Sequence, residues 1–128
     1  MNVILTENYQ ELSEKAAQLI EKQVQADPQS ILGLATGSTP LGTYQELIKG
    51  YKTRHIDYRD ILTLNLDEYV GLDKNSIQSY HFFMKHKLFN KTGKCPFFFF
   101  FKGSPKTGCD YGDCLYIKKQ ENHPISIW

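Results

Sequence analysis

The ten residues Ile31 to Pro40, ILGLATGSTP, constrain this chain more than any other stretch. Ile31-Leu32-Gly33-Leu34-Ala35 is apolar without alternation and short for a helix, the pattern of a strand covered on both faces in a parallel sheet. Thr36-Gly37-Ser38-Thr39 then supplies hydroxyls, a glycine free to take positive φ, and backbone N–H groups with no internal partner. Pro40 suits the first helical position, where its missing N–H costs nothing, so Thr39 is the expected N-cap of a helix running to Gly50. Exposed N–H groups and the positive end of the helix dipole would then converge on one spot, which favours an anion and phosphate first. No Lys-Ser or Lys-Thr follows a G-x-x-x-x-G spacing and no G-x-G-x-x-G occurs, so a sugar phosphate or similar small ester suits the turn better than a nucleotide. An ordinary capped turn between strand and helix has the same local signature.

With 128 residues there is room for one domain and a modest core. Fifteen basic residues against fourteen acidic ones, interspersed, leave no electrostatic footprint for nucleic acid or an anionic membrane. The opening MNVILTENYQ lacks the basic flank and apolar core of a signal peptide, and no apolar run is long enough to span a bilayer, so a cytoplasmic protein is expected. Three cysteines, Cys95, Cys109 and Cys114, argue by their odd count against a disulfide framework. Their separations from one another and from His123 match no familiar zinc pairing; free thiols and no metal are expected.

Along the chain, Val3-Ile4-Leu5 reads as a first strand. Asn8 with Glu11 imitates a capping box, and Leu12, Ala16, Leu19, Ile20 and Val24 recur at helical spacing, predicting a helix from Tyr9 to about Gln25 ended by Asp27-Pro28. The helix after Pro40 would bury Leu41, Tyr44, Leu47 and Ile48, and Gly50 to Tyr58 reads as connective. Ile61 to Leu66 predicts a third strand, Asp67 to Ser79 a polar loop, and Ser79 to Leu88 a helix with Tyr80, Phe83, Met84 and Leu88 along one face. Alternating strands and helices mean an α/β fold with a mostly parallel, right-handed crossover sheet, whose ligands sit outside the carboxyl ends of the strands. After Asn90 the pattern changes. Phe97 to Phe101 is five consecutive phenylalanines, more than the remaining chain can pack, which predicts exposed apolar surface or poor order. A short helix over Tyr111 to Gln120 and a strand beginning near Pro124 complete the expectations.

Asn65-Leu66-Asp67-Glu68-Tyr69-Val70-Gly71-Leu72 is the second informative stretch. Adjacent carboxylates at a strand's carboxyl end can point in different directions, one into a cleft. That suits a general base removing a proton beside a carbonyl or imine. Alone, the pair reads more readily as a solvated loop carboxylate or a helix cap.

These residues resemble a known family. Ala35 to Pro40, Asn65 to Leu72, and Ser79-Tyr80 with Phe83-Met84 are similar, in order and spacing, to the amino-terminal half of glucosamine-6-phosphate deaminases (glucosamine-6-phosphate isomerases). The resemblance covers residues 1–90 as the amino-terminal part of such a domain, and leaves 91–128 as an aberrant or poorly ordered tail. It implies a three-layer α/β sandwich with a Rossmann-like sheet and cofactor-free, hydrolase-type conversion of D-glucosamine 6-phosphate and water to D-fructose 6-phosphate and ammonia. Its partner is a small amino sugar phosphate, with homo-oligomerisation left open. By the same resemblance Gly37, Ser38 and Thr39 hold the phosphate. Asp67 is the base that moves a proton between C2 and C1, and Glu68 is the adjacent acid that supports the site.

The family also draws a second acid–base group from an Asp-Gly-His or Asn-Gly-His loop followed by Phe-Asn-Glu-Pro. Neither segment occurs in this sequence, and none of His55, His81, His86 and His123 sits in that setting. Two alternatives follow: an inactive fragment or non-catalytic sugar-phosphate binder, and more remotely a 6-phosphogluconolactonase-like hydrolase. The second expects Asp-Glu-Arg where Asp67-Glu68-Tyr69 stands.

Overall fold

A computed structural model describes residues 3–69, 71–93, 97–102 and 125–127, the last two segments by their backbone. Four parallel strands form one sheet in the order β3-β2-β1-β4, with β1 at Ile31–Leu34, β2 at Leu62–Glu68, β3 at Phe97–Lys102 and β4 at Ile125–Ile127. Helix α1 (Tyr9–Ala26) precedes β1, α2 (Leu41–Thr53) joins β1 to β2, and α3 (Tyr80–Lys87) with a single 3-10 turn at Phe89–Lys91 follows β2. Two successive crossovers in the same sense put α2 and α3 on one face of the sheet. The fold is the α/β class with a parallel sheet, and the described residues supply that sheet and one helical layer.

One core joins the helices to this face: Ala17, Ile20 and Val24 from α1, Tyr44 and Leu47 from α2, Leu32 and Leu34 from β1, and Met84, Leu88 and Phe89 from the second crossover. Helix α1 begins as the sequence predicts, with the Asn8 side chain accepting from the Glu11 N–H at 2.9 Å. Its buried face differs from the one expected. Leu12 and Leu19 are exposed, while Ser13 and Glu21 are buried, because α2 rather than the sheet lies against that side. Glu21 is paired there with Arg54 (2.5 Å to Nη2 and 3.2 Å to Nε), and Gly50 makes room, since a Cβ at that position would lie 1.9 Å from Glu21 Oε1. The hydrogen bond and charge of Glu21 hold the Arg54 guanidinium above its ordinary range.

Several expectations need correction. Val3, Ile4 and Leu5 are 66%, 52% and 89% exposed and pair with no described strand, so the first strand is absent there; without a neighbour to accept its ladder bonds, an apolar triplet does not suffice. Helix α2 continues past Gly50 to Thr53, and Ile56 and Tyr58, placed in a connective stretch, are core residues. Strand β2 runs on to Glu68, so Asp67 lies in a strand rather than a loop. The backbone of Phe97–Lys102 is an edge strand beside β2, and Ile125–Ile127 pairs with β1 on the other side. The helix expected over Tyr111 to Gln120 falls outside the described residues, as do Cys95, Cys109, Cys114 and His123.

Candidate functional site

A void of about 20 Å³ lies inside the core, lined by Ile20, Leu32, Leu47 and neighbouring side chains, almost all carbon. Such a space is a packing defect and offers no polar orientation to a ligand. The chemistry gathers instead where β1 and β2 end.

The parallel register sets Leu34 beside Asn65, so the turns leaving both strands start from the same level. The Asn65 amide adds a bond of 2.8 Å to the Leu34 carbonyl, and its buried Oδ1 has no partner among the described residues. Just beyond, the Tyr44 hydroxyl donates to the Ala35 carbonyl and anchors the start of the turn to α2. Burial is the largest influence on that hydroxyl and pushes its pKa well above the ordinary tyrosine value.

Gly37 takes φ +97°, a left-handed conformation that side chains resist, although the space around its Cα is open. Thr39 is not the helix cap: that position is Pro40, with no side-chain cap bond, and the helix starts at Leu41. The first donors of the helix are engaged. Leu41 N–H reaches the Ser38 carbonyl at 3.3 Å, and Gly42 N–H donates to the Tyr9 hydroxyl at 2.8 Å. Tyr9 in turn donates to the Thr39 carbonyl at 2.9 Å, so α1 holds the turn in shape. The N–H groups of Gly37, Ser38 and Thr39 have no partner among the described residues, and all three residues are exposed. A rigid turn with unengaged donors is a setting for an anion.

At the end of β2 the pairing slips. Asn65 faces Phe100 while Glu68 faces Lys102, so β2 carries one extra residue there. Such a bulge breaks strict alternation and re-aims the side chains on either side of it. The two acids part accordingly. Glu68 accepts from the N–H groups of Tyr80 at 3.0 Å and His81 at 2.9 Å, holding the first turn of α3 together with the Ser79 cap. Asp67 is exposed and has no hydrogen bond among the described residues.

Tyr80 joins the two turns. Its hydroxyl donates to the Tyr69 hydroxyl at 3.2 Å, with ring centroids 5.0 Å apart. The Tyr69 hydrogen bond first, then desolvation and the charges of Tyr69 and Asp67, raise the Tyr80 hydroxyl above its ordinary range, against a hydrogen bond with Thr36 that lowers it. Beside the two tyrosines lies an open hollow of about 560 Å³ lined by Tyr69, Leu72, Gln78 and Tyr80. Among the described residues no cluster of three or more His, Cys, Asp or Glu could hold a metal, and no helix is long and apolar enough to cross a membrane.

No family model matches the chain. A glucosamine-6-phosphate deaminase of Thermoanaerobacter sp. strain X514 is 54% identical over 90 residues, which are 70% of this chain and 36% of that protein. One from Mycoplasma mycoides subsp. mycoides SC is 50% identical over 90 residues, 37% of its length. The matched stretch is the amino-terminal part of the chain. This stretch is similar in sequence to glucosamine-6-phosphate deaminases. The chain spans little more than a third of these curated relatives. A solved glucosamine-6-phosphate deaminase, described as monomeric and as a missing link of the NagB superfamily, superposes with a TM-score of 0.76 at 38% identity, covering 84% of this chain and 45% of that one.

Within this deaminase-like unit, four participants were not singled out by sequence reasoning: Tyr9 as the clamp of the turn, Asn65 as the tie between strand ends, and the Tyr69–Tyr80 pair. Tyr9 left no signal, since its partners are about 30 residues away. Asn65 did leave one: an amide inside an otherwise apolar strand must find a buried partner.

Proposed function

We propose that this chain, through residues 1–90 as the amino-terminal part of a deaminase domain, is built for the family's reaction: D-glucosamine 6-phosphate and water to D-fructose 6-phosphate and ammonia. The observation that carries the reading is the common level of two turns: the register sets Leu34 beside Asn65, so the turn with unengaged N–H groups and the exposed Asp67 leave neighbouring strands at the same carboxyl edge of the sheet. In this scheme the unengaged N–H groups of Gly37, Ser38 and Thr39, with the hydroxyls of the last two, hold the phosphate. The phosphate anchors the sugar, and the opened aldehyde form brings its C2 hydrogen to Asp67.

A C2 proton is acidic only beside the C1 aldehyde, so ring opening precedes its removal. Asp67 takes the proton from C2, leaving an enol that shares its electrons with the amine. Return of a proton at C1 makes the C2 iminium, water adds at C2, and ammonia leaves. Glu68 is a positioning residue here: its oxygens hold α3, and with it Tyr80, against the end of β2.

The competing reading is a sugar-phosphate binder without turnover. Melting curves of the full chain with glucosamine 6-phosphate, followed by deuterium exchange at C2 and ammonia assay, separate the two. Stabilisation with C2 exchange is the expected result. Stabilisation without exchange or ammonia decides for the binder, and no stabilisation overturns both.

A further inference from the structure

We propose that Tyr69 and Tyr80 form a diol-reading pair, which recognises the C3 and C4 hydroxyls of the sugar phosphate and so sets specificity beyond the phosphate. The inference rests on the sugar-phosphate reading above. Two hydroxyls 3.2 Å apart use one of their two protons between them, so whichever donates, the pair keeps one proton for an outside acceptor and lone-pair capacity for an outside donor. The pair thus offers one donor and one acceptor side by side, the pattern that complements two neighbouring hydroxyls.

The surroundings fit the rest of a sugar. The hollow beside the pair combines the exposed Tyr69 ring and Leu72 with the Gln78 amide, so C–H faces and further hydroxyls both find partners. Its position is suited as well. Asp67 immediately precedes Glu68 and Tyr69 in the chain, and its charge reaches the Tyr80 hydroxyl, which places the pair next to the acid assigned to C2. Tyr80 itself is fixed at the start of α3 by Glu68 and Ser79. A rigid, preformed pair discriminates between epimers because a misdirected hydroxyl leaves a tyrosine oxygen unpaired.

Calorimetric titration of the full chain with inorganic phosphate, glucosamine 6-phosphate and its C4 epimer galactosamine 6-phosphate provides the test, with Tyr69→Phe and Tyr80→Phe as variants. Each variant is expected to weaken glucosamine 6-phosphate by about threefold to tenfold, the loss of one neutral hydrogen bond, with phosphate altered less than about twofold. The preference for glucosamine 6-phosphate over the epimer should shrink in parallel. Equal weakening of phosphate and sugar phosphate, or unchanged sugar-phosphate affinity in both variants, overturns the inference. So does a wild-type chain that binds phosphate as tightly as glucosamine 6-phosphate, an outcome that leaves the phosphate turn standing. A wild-type chain that binds none of the three overturns both readings. Tyr69 is half-exposed, and an unchanged melting temperature for its variant separates lost recognition from lost folding.

Discussion

The flank formed by α1 and α2 and the carboxyl edge of the sheet treat their polar groups in opposite ways. On the flank, Glu21 is closed on Arg54, Arg54 also reaches the Glu46 carbonyl at 3.1 Å, and the Ser13 hydroxyl returns to the Tyr9 carbonyl at 2.8 Å. At the edge, Ser38, Thr39 and Asp67 are exposed, and the Ser38 and Thr39 N–H groups and the Asp67 carboxylate have no hydrogen bond among the described residues. Burial with paired polar groups stabilises a fold; polar groups left open at a rim are available to water or to a guest. The two regions meet at Tyr9, which belongs to the flank and clamps the turn of the edge.

If that division holds, substitutions on the flank should change stability and leave the intrinsic affinity of folded molecules for phosphate alone. Ile20→Ala removes a side chain only 2% exposed and is expected to cost about 2–5 kcal/mol in urea denaturation. A large loss of phosphate affinity in the folded population would break the comparison.

Alkali should attack the flank next. Burial raises the hydroxyl pKa of both Tyr44 and Tyr58 well above the ordinary value. The folded state therefore keeps protons that the unfolded chain releases, and the stabilisation is complete below the unfolded pKa and lost as pH rises beyond it. Unfolding free energy should fall by ~1.4 kcal/mol per pH unit per tyrosine above about pH 10. Tyr44→Phe should flatten that slope.

Glu68→Gln keeps the shape of the side chain and weakens its charge-assisted bonds to the first turn of α3, with an expected cost of about 1–2 kcal/mol in thermal melting. A neutral result would mean that Ser79 alone caps the helix. The smallest effect on stability belongs to Asp67→Asn, expected within about 0.5 kcal/mol of the parent because the residue is exposed. In the proposed scheme it also abolishes C2 deuterium exchange, and a large destabilisation would show Asp67 to be part of the framework.

The parallel sheet and its crossover helices were legible because Leu32, Leu34, Tyr44, Leu47 and Met84 recur at spacings that burial imposes. Val3 to Leu5 misled because a strand needs a neighbour as well as apolar residues, and neighbours are a property of the whole chain. Thr39 misled because Ser-Thr-Pro is a capping signature, yet the donor a cap would satisfy is met by Tyr9 from another helix. Asp67 and Glu68 could be picked out as a pair from sequence. Their divergence could be too, but which of them braces α3 could not, since that depends on the N–H groups of Tyr80 and His81 about a dozen residues later.

The slip in pairing at the end of β2 makes the rim sensitive to length rather than composition. Removing one residue between Asn65 and Glu68 would restore even pairing with β3 while leaving Asn65 opposite Phe100 and Glu68 opposite Lys102. The carboxylate that braces α3 would keep its place, and the freedom that the surplus residue gives the rim would go.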